Sequence, residues 1–187
     1  MLPIYVVNNF GQFNHLIHRM FRDLDIEAQM IANTTPPEDV KSGCRGLVLG
    51  GGPSLSRIGN APKYFNLGLP VLGICLGLHI IATTFGGKVS PGKFGGYGPV
   101  EVEIIDHDGI LAGYPDNVHV WASHGDEVSV MPPGFTRLAS SPICSNEAIA
   151  LPEKHIYGLQ WHPEVSHTEN GKLVYENFNR ITLEHGT

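Results

Sequence analysis

Two short apolar runs, residues 46–49 and 70–74, each end at a turn of small residues. The first stops at Gly50-Gly51-Gly52-Pro53, the second at Cys75, set between Gly73 and Gly77. Four or five apolar residues bounded by turn signals have the length of a buried strand, and the stretch from about Leu76 to Phe85 then reads as a helix. The chain opens in the same way. Residues 3–7 read as a strand and Asn8, Asn9 and Gly11 as a turn. Phe13, Ile17, Met20 or Phe21, and Leu24 fall on one helical face, and residues 26–31 read as a second strand. Strand, turn and helix in repeated alternation specify an α/β domain with a mostly parallel central sheet flanked by helices, because parallel neighbours need a crossover connection. Residues 33–42 read only as a polar, proline-containing stretch.

From Gly86 onward the pattern changes. Val100, Val102 and Ile104 alternate with Glu101, Glu103 and Ile105, Val118 and Val120 alternate with His119 and Trp121, and further strands are expected at 136–140 and 156–161. These fit additional antiparallel strands at one side of the sheet. A closing helix is expected over about 171–183, from Leu173, Phe178 and Ile181. With 187 residues and no repeat or linker, one domain spanning 1–187 is the expectation.

Composition narrows the function classes. The net charge is −6 and no run of Lys or Arg offers a phosphate-binding footprint, so nucleic acid is not an expected partner. Cys44, Cys75 and Cys144 lie far apart without C-x-x-C spacing, which favours a reducing compartment and a cytoplasmic location. The first ten residues are too short and too weakly patterned for a signal peptide or a membrane span, and no membrane association is expected. His15, His18, His107, His119, His155 and His185 form no ligand-spaced set, so no metal site is expected, and Cys44 and Cys144 read as structural.

Three motifs carry chemistry. In Gly73-Ile74-Cys75-Leu76-Gly77 a cysteine stands where a buried strand turns sharply into a helix, with small neighbours that prevent clashes. The free N–H groups and dipole of the helix N-terminus favour the thiolate there. On this motif alone, a buried structural cysteine remains an alternative. In Gln160-Trp161-His162-Pro163-Glu164 the proline biases His162 toward an extended conformation, so His162 and Glu164 project to the same side. The carboxyl group can then orient the imidazole and stabilise its charged form. Gly50-Gly51-Gly52-Pro53 ends a parallel strand, on the edge where α/β sheets bind ligands. The N–H groups of Gly52 and Leu76 are therefore candidates for an oxyanion hole; a plain turn also fits, while a phosphate cradle lacks its lysine and its glycine spacing.

Together these residues resemble the class I, triad-type glutamine amidotransferases, in which a G-x-C-x-G elbow, a late H-P-E and an upstream glycine-proline turn form the active site on a flavodoxin-like core. All three occur in the expected order across nearly the whole chain. The segments 94–98, 121–126 and 162–168 are most similar to the GMP synthase branch of that family. The resemblance implies Cys75 as nucleophile, His162 as general base and acid, and Glu164 as its orienter. It places Gly52 and Leu76 at the oxyanion hole, and the backbone around Ser123 and Gly125 beside the α-amino and carboxylate groups of glutamine. Where many relatives carry glutamine four residues after the cysteine, this chain has His79, expected to face the substrate. His124 and Asp126 are expected either in a solvated loop near the substrate or on a surface that senses a partner.

The implied partner is an ATP pyrophosphatase subunit. It would hold ATP and Mg2+, with no cofactor on this chain, and use the ammonia to convert XMP to GMP. Two alternatives stay open: the same chemistry serving another synthetase, such as anthranilate or aminodeoxychorismate synthase, and a non-catalytic regulatory module that keeps the fold.

Overall fold

The computed structural model describes all 187 residues. Its nine strands form one sheet, in the order β2-β1-β3-β4-β9-β8-β7-β5-β6. Strands β1 (Ile4–Asn8), β2 (Ala28–Ala32), β3 (Gly46–Leu49), β4 (Val71–Ile74) and β9 (Ile156–Leu159) are parallel to one another. β5 (Lys88–Ile104), β6 (Asn117–Val130), β7 (Thr136–Ser140) and β8 (Ala148–Leu151) continue the sheet in antiparallel fashion.

The helices are α1 (Asn14–Asp23), α2 (Pro37–Gly43), α3 (Ala61–Tyr64), α4 (Leu76–Thr84) and α5 (Gly171–His185). Alternation along the buried strands divides the core into two layers. Val48, Leu72 and Ile74 pack on the side of Ile17, Phe21, Tyr175 and Phe178 from α1 and α5, while Leu47, Leu49 and Val71 pack with Leu78 and Ile81 of α4. Residues 76–82 of α4 are buried all round, as a helix apolar on every face requires. No helix is long and apolar enough to cross a membrane.

The expected parallel strands and the helices expected near 13–24, 76–85 and 171–183 appear within about two residues of expectation. The strand expected at 156–161 with the antiparallel set is instead β9, which pairs parallel with β4 and completes the parallel half of the sheet. Three further local features differ. The polar stretch 33–42 runs into α2, which starts with Pro37 in its first turn and carries Glu38 and Asp39 there, where acidic groups complement the helix dipole. Residues 148–151, Ala-Ile-Ala-Leu, form β8 with all four buried, a strand too short and too apolar to alternate. The hairpin β5–β6 is far longer than its alternating portion. It runs through the glycine-rich stretch with a register shift between Pro91 and Gly96. Gly96 pairs with His124, and an added Cβ there would lie 2.3 Å from the imidazole Nε2.

Candidate active site

The turns that follow β1, β3, β4 and β9 all leave from the carboxyl edge of the parallel strands, where ligands bind in open α/β sheets. Cys75 joins β4 to α4 with φ +55° and ψ −105°, a left-handed backbone that a non-glycine residue adopts only when its surroundings impose it. Its N–H donates to Leu159 O at 2.8 Å. The flanking glycines are set by close approach: a Cβ on Gly73 would lie 2.5 Å from the Gly77 backbone, and one on Gly77 2.1 Å from Leu49 O. The elbow is thus wedged between β3 and its own helix. Leu76 N–H, first in α4, has no acceptor within the helix.

Beside the elbow, the glycine turn is fastened by two asparagines of the β1–α1 loop. Asn9 Nδ2 donates to Gly50 O at 3.1 Å and Asn14 Nδ2 to Gly51 O at 3.0 Å. Gly52 N–H donates to no backbone carbonyl. A Cβ on Gly52 would sit 2.0 Å from Asn9 O, so the close contact demands glycine. Neither asparagine belongs to one of the three sequence motifs. The signal for Asn9 lies in the turn Asn8-Asn9 that ends β1 on the same sheet edge, and Asn14 opens the helix that follows it.

His162 and Glu164 meet as expected, with Nδ1–H donating to Glu164 Oε1 at 2.5 Å between nearly inaccessible side chains. The expected strand 156–161 stops at Leu159, and the pair is held instead by contacts from elsewhere. His162 N–H donates to Trp121 O at 3.0 Å. Thr168 Oγ1 donates to His162 O at 2.7 Å while accepting from Trp121 N–H at 2.9 Å. Tyr175 O–H reaches Glu164 Oε2 at 3.4 Å, and burial together with the Glu164 charge holds that phenol well above its ordinary range, as a donor. Burial alone would lower the His162 imidazole, but hydrogen bonds to Cys75 and Glu164 outweigh it and push it up to about 10. The imidazolium therefore faces the cysteine across neutral pH.

Gly52, Leu76, His79, Ser123, His124 and Gly125 line one cavity of about 390 Å³ with Cys75. A second cavity, about 300 Å³, opens on the other flank of Cys75 beside Gly11, Phe13, Asn14 and His162. Ser123 O lies 3.7 Å from Cys75 Sγ. His124 is not part of a solvated loop: it is buried in β6, with Nδ1–H donating to Asp126 O at 2.9 Å, and burial keeps its imidazole below the usual value. Glycine at 96 makes room for the ring and explains the burial. His79 lines the cavity of about 390 Å³, but its Nε2 is engaged 2.8 Å from Gln160 Oε1. Gln160, two residues before His162, was missed as a site residue although the same spacing argument that paired 162 with 164 applies to it. No group of three or more His, Cys, Asp and Glu side chains is arranged to hold a metal ion.

A cysteine at a helix N-terminus, with a buried histidine–glutamate pair and two free N–H groups around it, can perform acyl transfer through a thioester. The family model described as glutamine amidotransferase class-I matches residues 5–181, and the chain belongs to that family. Among its relatives, the A-subunit of the glutamine-hydrolyzing GMP synthase of Methanoregula boonei is 67% identical over 184 residues, covering 98% of this chain and 100% of that one. The protein of the same description from Archaeoglobus fulgidus is 50% identical over 181 residues, covering 96% and 98%. A solved structure described as a candidate GMP synthase A-subunit, from Thermoplasma acidophilum, superposes with a TM-score of 0.95 at 35% identity, covering 100% of this chain and 96% of that one.

Proposed function

We propose that this chain is the glutaminase subunit of a GMP synthase, acting in the cytoplasm with an ATP pyrophosphatase subunit that binds ATP, Mg2+ and XMP. The observation that carries the chemistry is the buried His162–Glu164 pair facing a strained cysteine beside the cavity of about 390 Å³. The acceptor rests on likeness to the GMP synthase A-subunits, which extends over almost the entire chain.

The Cys75 thiolate attacks the carboxamide carbon of glutamine, and the N–H groups of Gly52 and Leu76 receive the developing oxyanion. Each such donor is worth about 3 kcal/mol when aimed at the transition state. The His162 imidazolium gives its proton to the departing nitrogen, so ammonia leaves and a γ-glutamyl thioester remains. His162, now neutral and still held by Glu164, takes a proton from water, which hydrolyses the thioester to glutamate. The ammonia passes to the partner, which activates XMP with ATP and aminates it to GMP.

The test is reconstitution. The chain is mixed with the ATP pyrophosphatase subunit from the same cells, ATP, Mg2+ and XMP, and GMP is followed with glutamine or with ammonium as nitrogen source. Glutamine-dependent GMP formation that vanishes in Cys75→Ala, while ammonium-dependent formation survives, is the expected result. Failure of that mixture, with a chorismate-aminating synthase gaining glutamine dependence instead, overturns the acceptor.

A further inference from the structure

We propose that Gln160 is a further catalytic residue, whose side-chain N–H group donates to the Cys75 sulfur, and that His79 is the positioning residue that holds the amide in the one orientation able to do so. The proposal rests on the reading of Cys75 as the nucleophile. Gln160 is wholly inaccessible, and its Nε2 lies 3.7 Å from Cys75 Sγ, within reach of an N–H···S hydrogen bond. Its Oε1 is 2.8 Å from His79 Nε2. Its backbone N–H is tied to Glu147 O at 2.7 Å. Trp161, between Gln160 and His162, points away into the core, so residues 160 and 162 both face the cysteine.

The proton positions follow from valence. A thiolate can only accept, so the amide must turn its NH2 to sulfur and its carbonyl to His79. The imidazole must then carry its proton on Nε2. Burial favours the neutral ring, which has one N–H and leaves Nδ1 as an acceptor. The charged or titratable neighbours of His79 are His124 and Asp126, and that of Cys75 is His162. Without the imidazole donor the buried amide has no partner for its oxygen and can rotate, presenting oxygen to the sulfur. The departure from glutamine at position 79 is thereby given a role, because histidine supplies the donor that fixes Gln160.

The bond acts twice in the reaction. It stabilises the thiolate before attack. When water hydrolyses the thioester, the electron pair of the broken C–S bond returns to sulfur, where the same N–H receives it. A charge-assisted hydrogen bond of this kind accounts for about a tenfold rate effect or more.

The experiment measures alkylation of Cys75 by iodoacetamide against pH, by mass spectrometry, together with kcat and KM for glutamine in the reconstituted complex. Gln160→Met, close in shape but without the donor, is expected to slow alkylation about tenfold at pH 6.5. The difference should shrink as the pH is raised. Its kcat is expected to fall at least tenfold with KM little changed. His79→Leu is expected to lose roughly threefold to tenfold in both rates, and His79→Gln to recover most of that loss.

Wild-type alkylation and kcat in a folded Gln160→Met protein overturn the proposal. If Gln160→Met does not fold, His79→Leu decides: unchanged alkylation at pH 6.5 overturns it. Failure of the functional reading has a different signature, namely alkylation that still depends on Gln160 in a protein that hydrolyses no glutamine with its partner.

Discussion

The two arms of the proposed active site are built in opposite ways. The cysteine arm is local: Gly73, Cys75 and Gly77 lie within five residues, and their shape is imposed by backbone contacts with one another and with Leu49. The histidine arm has little local structure of its own. His162 and Glu164 sit past the end of β9 and are fixed by Trp121, Thr168 and Tyr175, from β6, the following turn and α5. A nucleophile must project from a sharp bend, which neighbouring atoms can enforce. A base must meet it with the right tautomer, and that needs partners brought from a distance.

The comparison can be broken most severely at the proposed base. His162→Ala is expected to lower kcat on the order of 10⁴-fold or more and, by leaving the buried Glu164 carboxylate unpaired, to cost about 3–5 kcal/mol in urea unfolding at neutral pH. Gly77→Ala acts through the backbone instead. Its Cβ would meet Leu49 O at 2.1 Å, so a stability loss of about 3–4 kcal/mol is expected from the urea midpoint, and activity falls with it. A Gly77→Ala protein as stable as wild type would show that the elbow is not locked locally.

The third prediction concerns the scaffold behind the histidine arm. Glu147 holds the Gln160 backbone through its carbonyl, while its side chain is inaccessible. Burial, opposed by the Ser141 hydroxyl and reinforced by Glu127, raises its carboxyl group from 4.5 to about 7. An acid raised in the folded state takes up a proton on folding between those two values. Stability is therefore undiminished below about 4.5, falls as pH rises through 7, and reaches its full loss above. Glu147→Gln is expected to raise the melting midpoint at pH 8.5 by the equivalent of about 2–3 kcal/mol and to have little effect at pH 4.5, as read from melts across pH. The smallest effect is assigned to Thr168→Val, which removes both hydrogen bonds of the Thr168 hydroxyl. A cost of about 1–2 kcal/mol with roughly a tenfold fall in kcat is expected; unchanged kcat would sink the claim that the histidine arm is held from outside.

The same contrast explains what the sequence discloses. Cys75 and its glycines are legible because their geometry is encoded within a few residues, and His162 and Glu164 because proline fixes the segment between them. Gln160, Asn9 and Asn14 act through partners tens of residues away, so their local signals, the spacing from His162 and the polar turn after β1, point to a place near the site but not to a role. Fold follows the same rule. The buried parallel strands and α4 are strong runs, whereas β8 is four apolar residues that a helix or a strand could use, and the glycines of β5 signal turns until His124 is known to pack on them. α2 carries its helix-start signals in Pro37, Glu38 and Asp39, and only the polar texture around them obscures it.

The backbone at Cys75 has an evolutionary consequence. A side chain held at φ +55° costs about 1–2 kcal/mol relative to glycine, so the position is one where natural drift toward greater robustness points to an inert protein. Cys75→Gly should therefore melt above Cys75→Ala. Selection for thermal stability alone favours losing the proposed nucleophile, so a lineage that keeps a side chain at this position does so against the backbone's own preference.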